Sequence, residues 1–94
     1  MKIEVLREFV ALAHYGSFHA TAESLFISQP SLSNHIKTLE LEIGFELFDR
    51  SHDNELTAAG SIFFDTAQSA LTLIDTTLEA CRHCAGIEQN QAKG

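Results

Sequence analysis

The sequence predicts a mainly α-helical domain in which three short helices and a small β-hairpin are followed by one long helix. Apolar residues recur at the three- and four-residue spacing of buried helix faces through most of the chain. Glycine or a capping hydroxyl stands at most of the predicted helix ends. The length of 94 residues, 45% of them hydrophobic, suffices for one core and little else, so a single small domain is expected.

The first two predicted helices are short. The first spans residues 2–15, and its apolar residues fall at the i, i+3, i+4 and i+7 positions of one face: Leu6, Phe9, Val10 and Ala13. Gly16 is placed to end it. Ser17 is a suitable N-cap for a second helix that ends near Leu25. Its apolar residues again share one face: Phe18, Ala22 and Leu25.

A third helix follows a three-residue turn, Phe26 to Ser28. Ser28 can cap it, and Pro30 falls in its first turn, where a missing N–H removes no intrahelical bond. Its buried stripe recurs at spacings of four, three and four: Leu32, Ile36, Leu39 and Ile43. Gly44 is placed to end the helix.

After Gly44 the chain predicts a small hairpin and then a long helix. The aromatic stretch at residues 45–50 and the short stretch at 55–57 flank turn residues at 51–54. Thr57 can cap a helix over 58–86, with a flexible tail at 87–94. Heptad-spaced residues predict a helix–helix seam: Phe64, Ala67, Leu71, Ile74, Leu78, Cys81 and Ala85.

The predicted fourth helix would be about 43 Å long at 1.5 Å per residue, too long to pack wholly on three short helices. We therefore expect a homodimer through residues 58–86. The seam could instead be the buried face of one helix in a larger protein.

The charge of the chain is unevenly distributed. The formal net charge is -7, yet Glu23 is the only acid between Ser17 and Lys37. A surface that faces phosphates needs at least this local lack of negative charge. The sequence contains no long apolar run and no signal-peptide pattern at its start, so a cytoplasmic protein is expected.

The second and third helices with their tight turn are the elements of a helix-turn-helix. A helical wheel places short or hydrogen-bonding side chains opposite the buried stripe of the third helix. Gln29 and Asn34 can pair bidentately with adenine in a major groove. Serine hydroxyls and the helix N-terminus can hold phosphate without a formal positive charge. These features predict double-stranded DNA as the partner.

Two quoted stretches carry a family resemblance: "GSFHATAESLFISQPSLSNHIKTLELEIGFELFDR" and "LTAAG". Their motifs are a Gly-Ser-Phe opening, Ser-Gln-Pro at the start of the third helix, a Leu-Glu pair, Gly-x-x-Leu-Phe-x-Arg and Leu-Thr-x-x-Gly. In this combination the chain resembles the N-terminal winged helix-turn-helix of LysR-type transcriptional regulators over residues 3–60. The long helix after it resembles the linker helix of that family.

The resemblance implies a bacterial DNA-binding domain at residues 1–57 that regulates transcription. It also implies a linker dimerisation helix at 58–86 and a homodimer on an approximately palindromic operator. The implied contacts of the recognition helix are Gln29, Pro30, Ser31, Ser33, Asn34 and Lys37. Arg50 matches the arginine at the base of the wing, and Thr21 matches a position facing the DNA backbone. Ser28 and His52 complete the predicted DNA-facing set.

The chain departs from the family pattern in three places. Its wing carries His52, Asp53 and Glu55 where arginines are common. Thr21 and Ala22 stand where the family usually has two alanines. Family members normally continue into an effector-binding domain of about 200 residues, whereas this sequence ends at Gly94. The expected alternatives are a truncated DNA-binding domain and a stand-alone relative; a small-molecule effector is expected only with that further domain.

Two rival hypotheses accompany the DNA-binding one. The acidic wing would suit an interaction module that no longer binds DNA and heterodimerises with intact relatives through 58–86. Cys81 and Cys84 lie three residues apart on one helix side, the spacing of a redox pair or of half a zinc site formed across a dimer. The heptad seam already accounts for Cys81, and this chain supplies no second ligand pair. We therefore expect no enzyme activity, no metal and no cofactor.

Overall fold

The computed structural model describes the backbone of residues 1–93 and the side chains of residues 1–86. Its elements follow the predicted order: α1 (Ile3–Tyr15), α2 (Phe18–Leu25), α3 (Gln29–Ile43), β1 (Phe48–Asp49), β2 (Glu55–Leu56) and α4 (Ala58–Lys93). The mainly α-helical winged helix-turn-helix fold is thus confirmed. No helix in the described part of the chain combines the length and apolar content that a bilayer crossing requires.

The predicted caps set the boundaries of the first three helices. Gly16 and Gly44 end α1 and α3 in the left-handed conformation, with φ of 72° and 88°. The Ser17 hydroxyl accepts the Ala20 N–H at 3.2 Å, and the Ser28 hydroxyl accepts the Ser31 N–H at 3.1 Å. Each cap satisfies a helix-terminal backbone group that has no partner within the helix, so these helix ends are defined locally.

The core forms around α1, which contacts α2, α3 and α4. The ring of Phe9 is fully buried and lies 5.6 Å, centroid to centroid, from the rings of both Phe48 and Phe63. Apolar residues from the helices and from the segment before the wing complete it: Leu12, Ala22, Leu32, Ile36, Leu39, Leu47 and Ala67. Because Phe48 begins the wing, the core fixes the base of the wing to the helices.

The wing is a two-stranded antiparallel hairpin. Phe48 pairs with Leu56 and Asp49 with Glu55. The chain reverses direction between the strands through Asp53 and Asn54, whose φ values of 54° and 58° are left-handed. Short polar side chains tolerate this conformation better than most, which explains why the reversal falls there.

The long helix α4 differs from expectation in two respects. It extends past the predicted end at Gly86 to Lys93, and the predicted flexible tail at 87–94 lies outside the residues whose side chains the structure describes. The first part of the predicted seam packs within the chain: Ala67 and Leu71 are buried, and Phe64 packs against the core. Ala67 and Leu71 are covered by the chain's own core, so their assignment to a dimer interface is wrong, whereas the partly exposed Phe64 remains a predicted contact.

An ion pair anchors α4 to α1 beside Leu71. The Arg7 guanidinium donates two hydrogen bonds to the Asp75 carboxylate, at 2.9 and 2.6 Å. These hydrogen bonds lower the pKa of Asp75 below its ordinary value and raise that of Arg7. The pair is exposed, so it defines geometry more than it adds stability. Beyond it, the described residues at 76–85 are exposed.

Gly60 allows the start of α4 to lie directly on the segment that leads into the wing. A Cβ at this position would overlap the carbonyl oxygen of Leu47 and lie 2.9 Å from its carbonyl carbon. That carbonyl accepts the Thr57 N–H at 2.9 Å, so the segment cannot shift without losing this bond. We expect Gly60→Ala to lower the free energy of unfolding by about 2 kcal/mol.

Urea denaturation of the variant tests this prediction. Gly86→Ala is the matched control, because a Cβ there would meet nothing within 4 Å. Alanine is the better helix former, so the control should be unchanged or more stable. Equal stabilities of the two variants would contradict the steric argument.

Candidate nucleic-acid interface

The rotation of α3 about its own axis is set by its buried stripe. Leu32, Ile36 and Leu39 are at most 2% exposed and hold one side of the helix against the core. The opposite side is exposed and carries Gln29, Pro30, Asn34, Lys37 and Leu41. The face predicted to read DNA is therefore presented to solvent as the helical wheel indicated.

The N-terminus of α3 presents hydroxyl groups and no acid. The Ser28 hydroxyl accepts the Ser31 N–H and donates to the Ser31 hydroxyl at 2.8 Å. The first turn contains no acidic residue, and Pro30 lies within it. Ser31 and Ser33 are half-buried. The positive end of the helix dipole is therefore not neutralised by a carboxylate of that turn.

A buried carboxylate joins the recognition helix to the wing. Glu40 is 8% exposed, and its Oε2 accepts the backbone N–H groups of Leu47 at 2.7 Å and Phe48 at 3.4 Å. Its Oε1 accepts a hydrogen bond from Arg50 at 3.3 Å. The side chain of Glu40 thus holds α3 and the wing hairpin together. The sequence patterns did not predict this role, although Glu40 belongs to the Leu-Glu motif.

Arg50 is occupied within the chain at the base of the wing. Besides its ion pair with Glu40, its guanidinium carbon lies 6.0 Å from the centre of the Phe18 ring. The positive charge of Arg50 is therefore balanced by a neighbouring carboxylate. Arg50 supplies less free charge for phosphate than the sequence suggested, and its first role is to position the wing.

The tip of the wing is a small network around Asp49. Its carboxylate accepts the Ser51 hydroxyl at 2.6 Å and the Ser51 N–H at 3.0 Å, and it contacts His52 Nδ1 at 2.9 Å. The Ser51 hydroxyl, the Ser51 N–H and His52 together lower the pKa of Asp49 below its ordinary value. His52 thus lies beside a carboxylate, so the tip carries little net positive charge.

Thr21 does not face DNA. Its side chain is fully buried, and its hydroxyl donates to the Ser17 carbonyl at 2.7 Å, one turn earlier in the helix. Such a bond satisfies a hydroxyl inside a core. The prediction of a backbone contact at Thr21 is therefore wrong.

His35, next to the reading face, turns towards α1. Its Nδ1 lies 2.7 Å from the Glu8 carboxylate, and its side chain is half-buried. This contact couples the recognition helix to α1. No spacing pattern predicts this contact, because the two residues lie on different elements.

The two cysteines are free and exposed on α4. Among the residues that the structure describes, no three potential metal ligands of the His, Cys, Asp and Glu types converge.

Residues 3–61 match the family described as "Bacterial regulatory helix-turn-helix protein, lysR family". The chain belongs to the lysR family. It is 39% identical over 94 residues to the HTH-type transcriptional regulator TfdT of Cupriavidus pinatubonensis, covering 99% of this chain and 41% of that protein. It is 44% identical over 96 residues to the regulator BudR of Klebsiella aerogenes, covering 100% of this chain and 67% of BudR. The lysR-family chain thus spans less than half of TfdT and about two thirds of BudR.

Solved structures extend the similarity from sequence to fold and link it to DNA. The crystal structure of the BenM DNA-binding domain with catB site 1 DNA aligns with a TM-score of 0.88 at 33% identity, covering 92% of this chain and 94% of that one. The relatives are transcriptional regulators, and this structural neighbour was solved on DNA. The lysR-family chain is accordingly a winged helix-turn-helix of the DNA-binding type.

Proposed function

We propose that the chain is the sequence-specific DNA-binding domain of a transcriptional regulator that acts as a homodimer on an approximately palindromic operator. The observation that carries the proposal is the free polar face of α3. Within the described residues, Gln29, Asn34 and Lys37 are exposed and form no hydrogen bond or ion pair with another side chain. Their donors and acceptors are therefore available to base edges and phosphates.

The electrostatics support an approach led by the helix and not by the wing. The reading segment from Ser17 to Lys37 contains one acid, Glu23, and His19 lies 3.2 Å from it. Lys37 is the main free cation on the reading face, since the charge of Arg50 is balanced by Glu40. Each phosphate neutralised contributes about -0.9 to the slope of log affinity against log salt. The salt dependence should therefore be shallow, with a slope of about -2 for two half-sites.

The roles of the reading residues can be separated by substitution. We expect Gln29→Ala and Asn34→Ala each to reduce affinity for the best operator by about tenfold while changing affinity for random duplex little. Lys37→Ala should weaken binding to both by a similar factor and reduce the salt slope. Fluorescence anisotropy with duplexes selected from a random library measures these values.

The control is Thr72→Ala, which truncates an exposed polar side chain on α4, away from the reading helix. It should leave both affinities unchanged. If all three reading-face variants reduced the affinity for every duplex by the same factor, the assignment of base-reading roles to Gln29 and Asn34 would be wrong.

The proposed homodimer rests on apolar residues that α4 leaves uncovered. Ile62 and Leu73 are 74% and 68% exposed. They are 11 residues apart, which places them within about 20° of each other around a helix of 3.6 residues per turn. The heptad pattern did not predict the face that Ile62 and Leu73 share. The later residues of the predicted seam, Ile74, Leu78, Cys81 and Ala85, lie roughly a third of a turn around α4 from this pair and remain a separate predicted face for helix pairing.

One observation favours the alternative of an interaction module that does not bind DNA, acting on intact relatives through 58–86. The wing carries Asp49, Asp53 and Glu55 where a DNA-binding wing would benefit from positive charge. Salt-titrated binding to selected and random duplexes distinguishes the two functions. Absence of binding at every salt concentration would exclude DNA reading and leave the interaction module.

A further inference from the structure

The turn between α2 and α3 places a phenylalanine in a conformation that favours glycine. Phe26 has φ 57° and ψ 40°. Its N–H bonds to the Glu23 carbonyl at 3.3 Å, and the Ile27 N–H bonds to the Ala22 carbonyl at 3.0 Å. This pair of bonds is the Schellman arrangement, in which the left-handed position is usually glycine and sometimes asparagine. The left-handed backbone is thus required by how the turn ends α2.

The conformation of Phe26 has no evident compensation inside the chain. The side chain is 95% exposed, the most exposed of the large hydrophobic residues that the structure describes. Ile27, the next residue, packs against the core that includes Ala22, in keeping with the hydrophobic contact that usually accompanies the motif. Phe26 therefore contributes backbone strain and exposed apolar surface, while its neighbour supplies the packing.

The location of Phe26 connects this exposed ring to the reading helix. It lies two residues before the cap Ser28 and three before Gln29, at the N-terminal edge of the reading face. Pro30, which is also exposed, adds an apolar side chain to the first turn of α3. This edge thus presents an apolar ring next to hydrogen-bonding side chains. Such an edge complements a base pair that presents a methyl group next to polar atoms. In the major groove only thymine presents such a methyl group.

We propose that Phe26 is a specificity-determining residue that packs its ring on a thymine methyl group at the edge of each half-site. This inference rests on the proposed DNA-binding function. Enclosing the exposed ring against the duplex would give the apolar surface a partner that exists only in the complex. The strained turn then holds the ring outward before DNA arrives, so little ordering is needed on binding.

Two substitutions separate the strain from the contact. Phe26→Asn should raise the melting temperature by a few degrees, because asparagine tolerates the left-handed conformation and removes exposed apolar surface. The same variant should bind the selected operator about tenfold more weakly, with little change on random duplex. Phe26→Tyr retains an aromatic ring and should bind within about twofold of the parent.

Modified DNA tests the methyl group directly. Operators are selected with the unaltered chain, and each thymine of a half-site is then replaced by uracil, which lacks only the methyl. Losing one methyl contact should weaken binding of the unaltered chain about fourfold at one position. Phe26→Asn should show no further loss at that position, and Phe26→Tyr should show the same loss as the unaltered chain.

The outcomes distinguish this inference from the function on which it rests. If the unaltered chain selects no duplex, the DNA-binding proposal itself fails. If it selects an operator but Phe26→Asn binds as well as the parent, or loses affinity equally on random duplex, Phe26 does not determine specificity. If no single uracil substitution is sensed through Phe26, the thymine contact is overturned. The proposal is supported if Phe26→Asn is more stable than the parent but binds the operator more weakly, and if it no longer senses the methyl group of one thymine.

Discussion

Replacing Glu40 with alanine is expected to lower the free energy of unfolding by about 3 kcal/mol. The substitution leaves the N–H groups of Leu47 and Phe48 without their acceptor, and both residues are at most 1% exposed. It also leaves Arg50 without its carboxylate. The estimate takes the lower end of the range for a broken buried pair, because the Arg50 side chain is 37% exposed and water can solvate it.

Urea denaturation measures this change, and two variants calibrate it. Glu46→Ala removes an exposed carboxylate from the same segment and should change stability by less than about 0.5 kcal/mol. Glu40→Gln keeps an oxygen for the backbone N–H groups but not the charge facing Arg50, so we expect a loss of about 1 kcal/mol. If Glu40→Ala were as stable as Glu46→Ala, the carboxylate would not be what joins the wing to α3.

The second large effect concerns assembly. We expect the double substitution Ile62→Asp with Leu73→Asp to convert a dimer into monomers, because it places charges in an apolar contact of the proposed α4 pairing. A monomer engages one half-site at a time, so operator affinity should fall by about a hundredfold or more. Sedimentation equilibrium gives the mass, and fluorescence anisotropy gives the affinity.

The control for this experiment is Thr72→Asp. It adds the same charge to α4 at an exposed position about a quarter-turn from Ile62 and Leu73. It should leave both mass and affinity unchanged. A dimeric mass for the double variant would show that the pairing uses another face, such as Leu78 and the later seam residues. Loss of affinity without loss of mass would separate α4 pairing from DNA binding.

The local parts of the fold could be predicted from the sequence because each depends on nearby residues. The hydroxyls of Ser17, Ser28 and Thr57 accept N–H groups three residues downstream and so cap α2, α3 and α4. Gly16 ends α1 and Gly44 ends α3. The buried stripe of α3 followed from its spacing alone, and it fixed the exposed face correctly. Such features carry their signal within one or two helical turns.

The misassigned residues depend on contacts between elements. A heptad seam on α4 could not reveal that α1 already covers Ala67 and Leu71, since periodicity gives a buried face but not its partner. The family motif places Arg50 among the DNA-facing residues, which stays a prediction, whereas its contact with Glu40 joins two elements and cannot be read from spacing. Thr21 was placed by family position, and its burial follows from how α2 packs. Charge and spacing identify candidates, and only packing decides which remain available.

The packing of α4 on α1 affects which half-site spacings the proposed dimer can accept. Because Leu71 is buried and Arg7 holds Asp75, we expect the long helix to move with the helix-turn-helix head beneath it as one arm. In the proposed dimer, sliding one arm along the other by a helical turn of about 5.4 Å moves the heads apart by the same step. At about 3.4 Å per base pair, that is roughly one and a half base pairs. The helix pairing would therefore accept only half-site spacings that differ by steps of this size. Operators with intermediate spacings would have to twist or bend to fit the dimer.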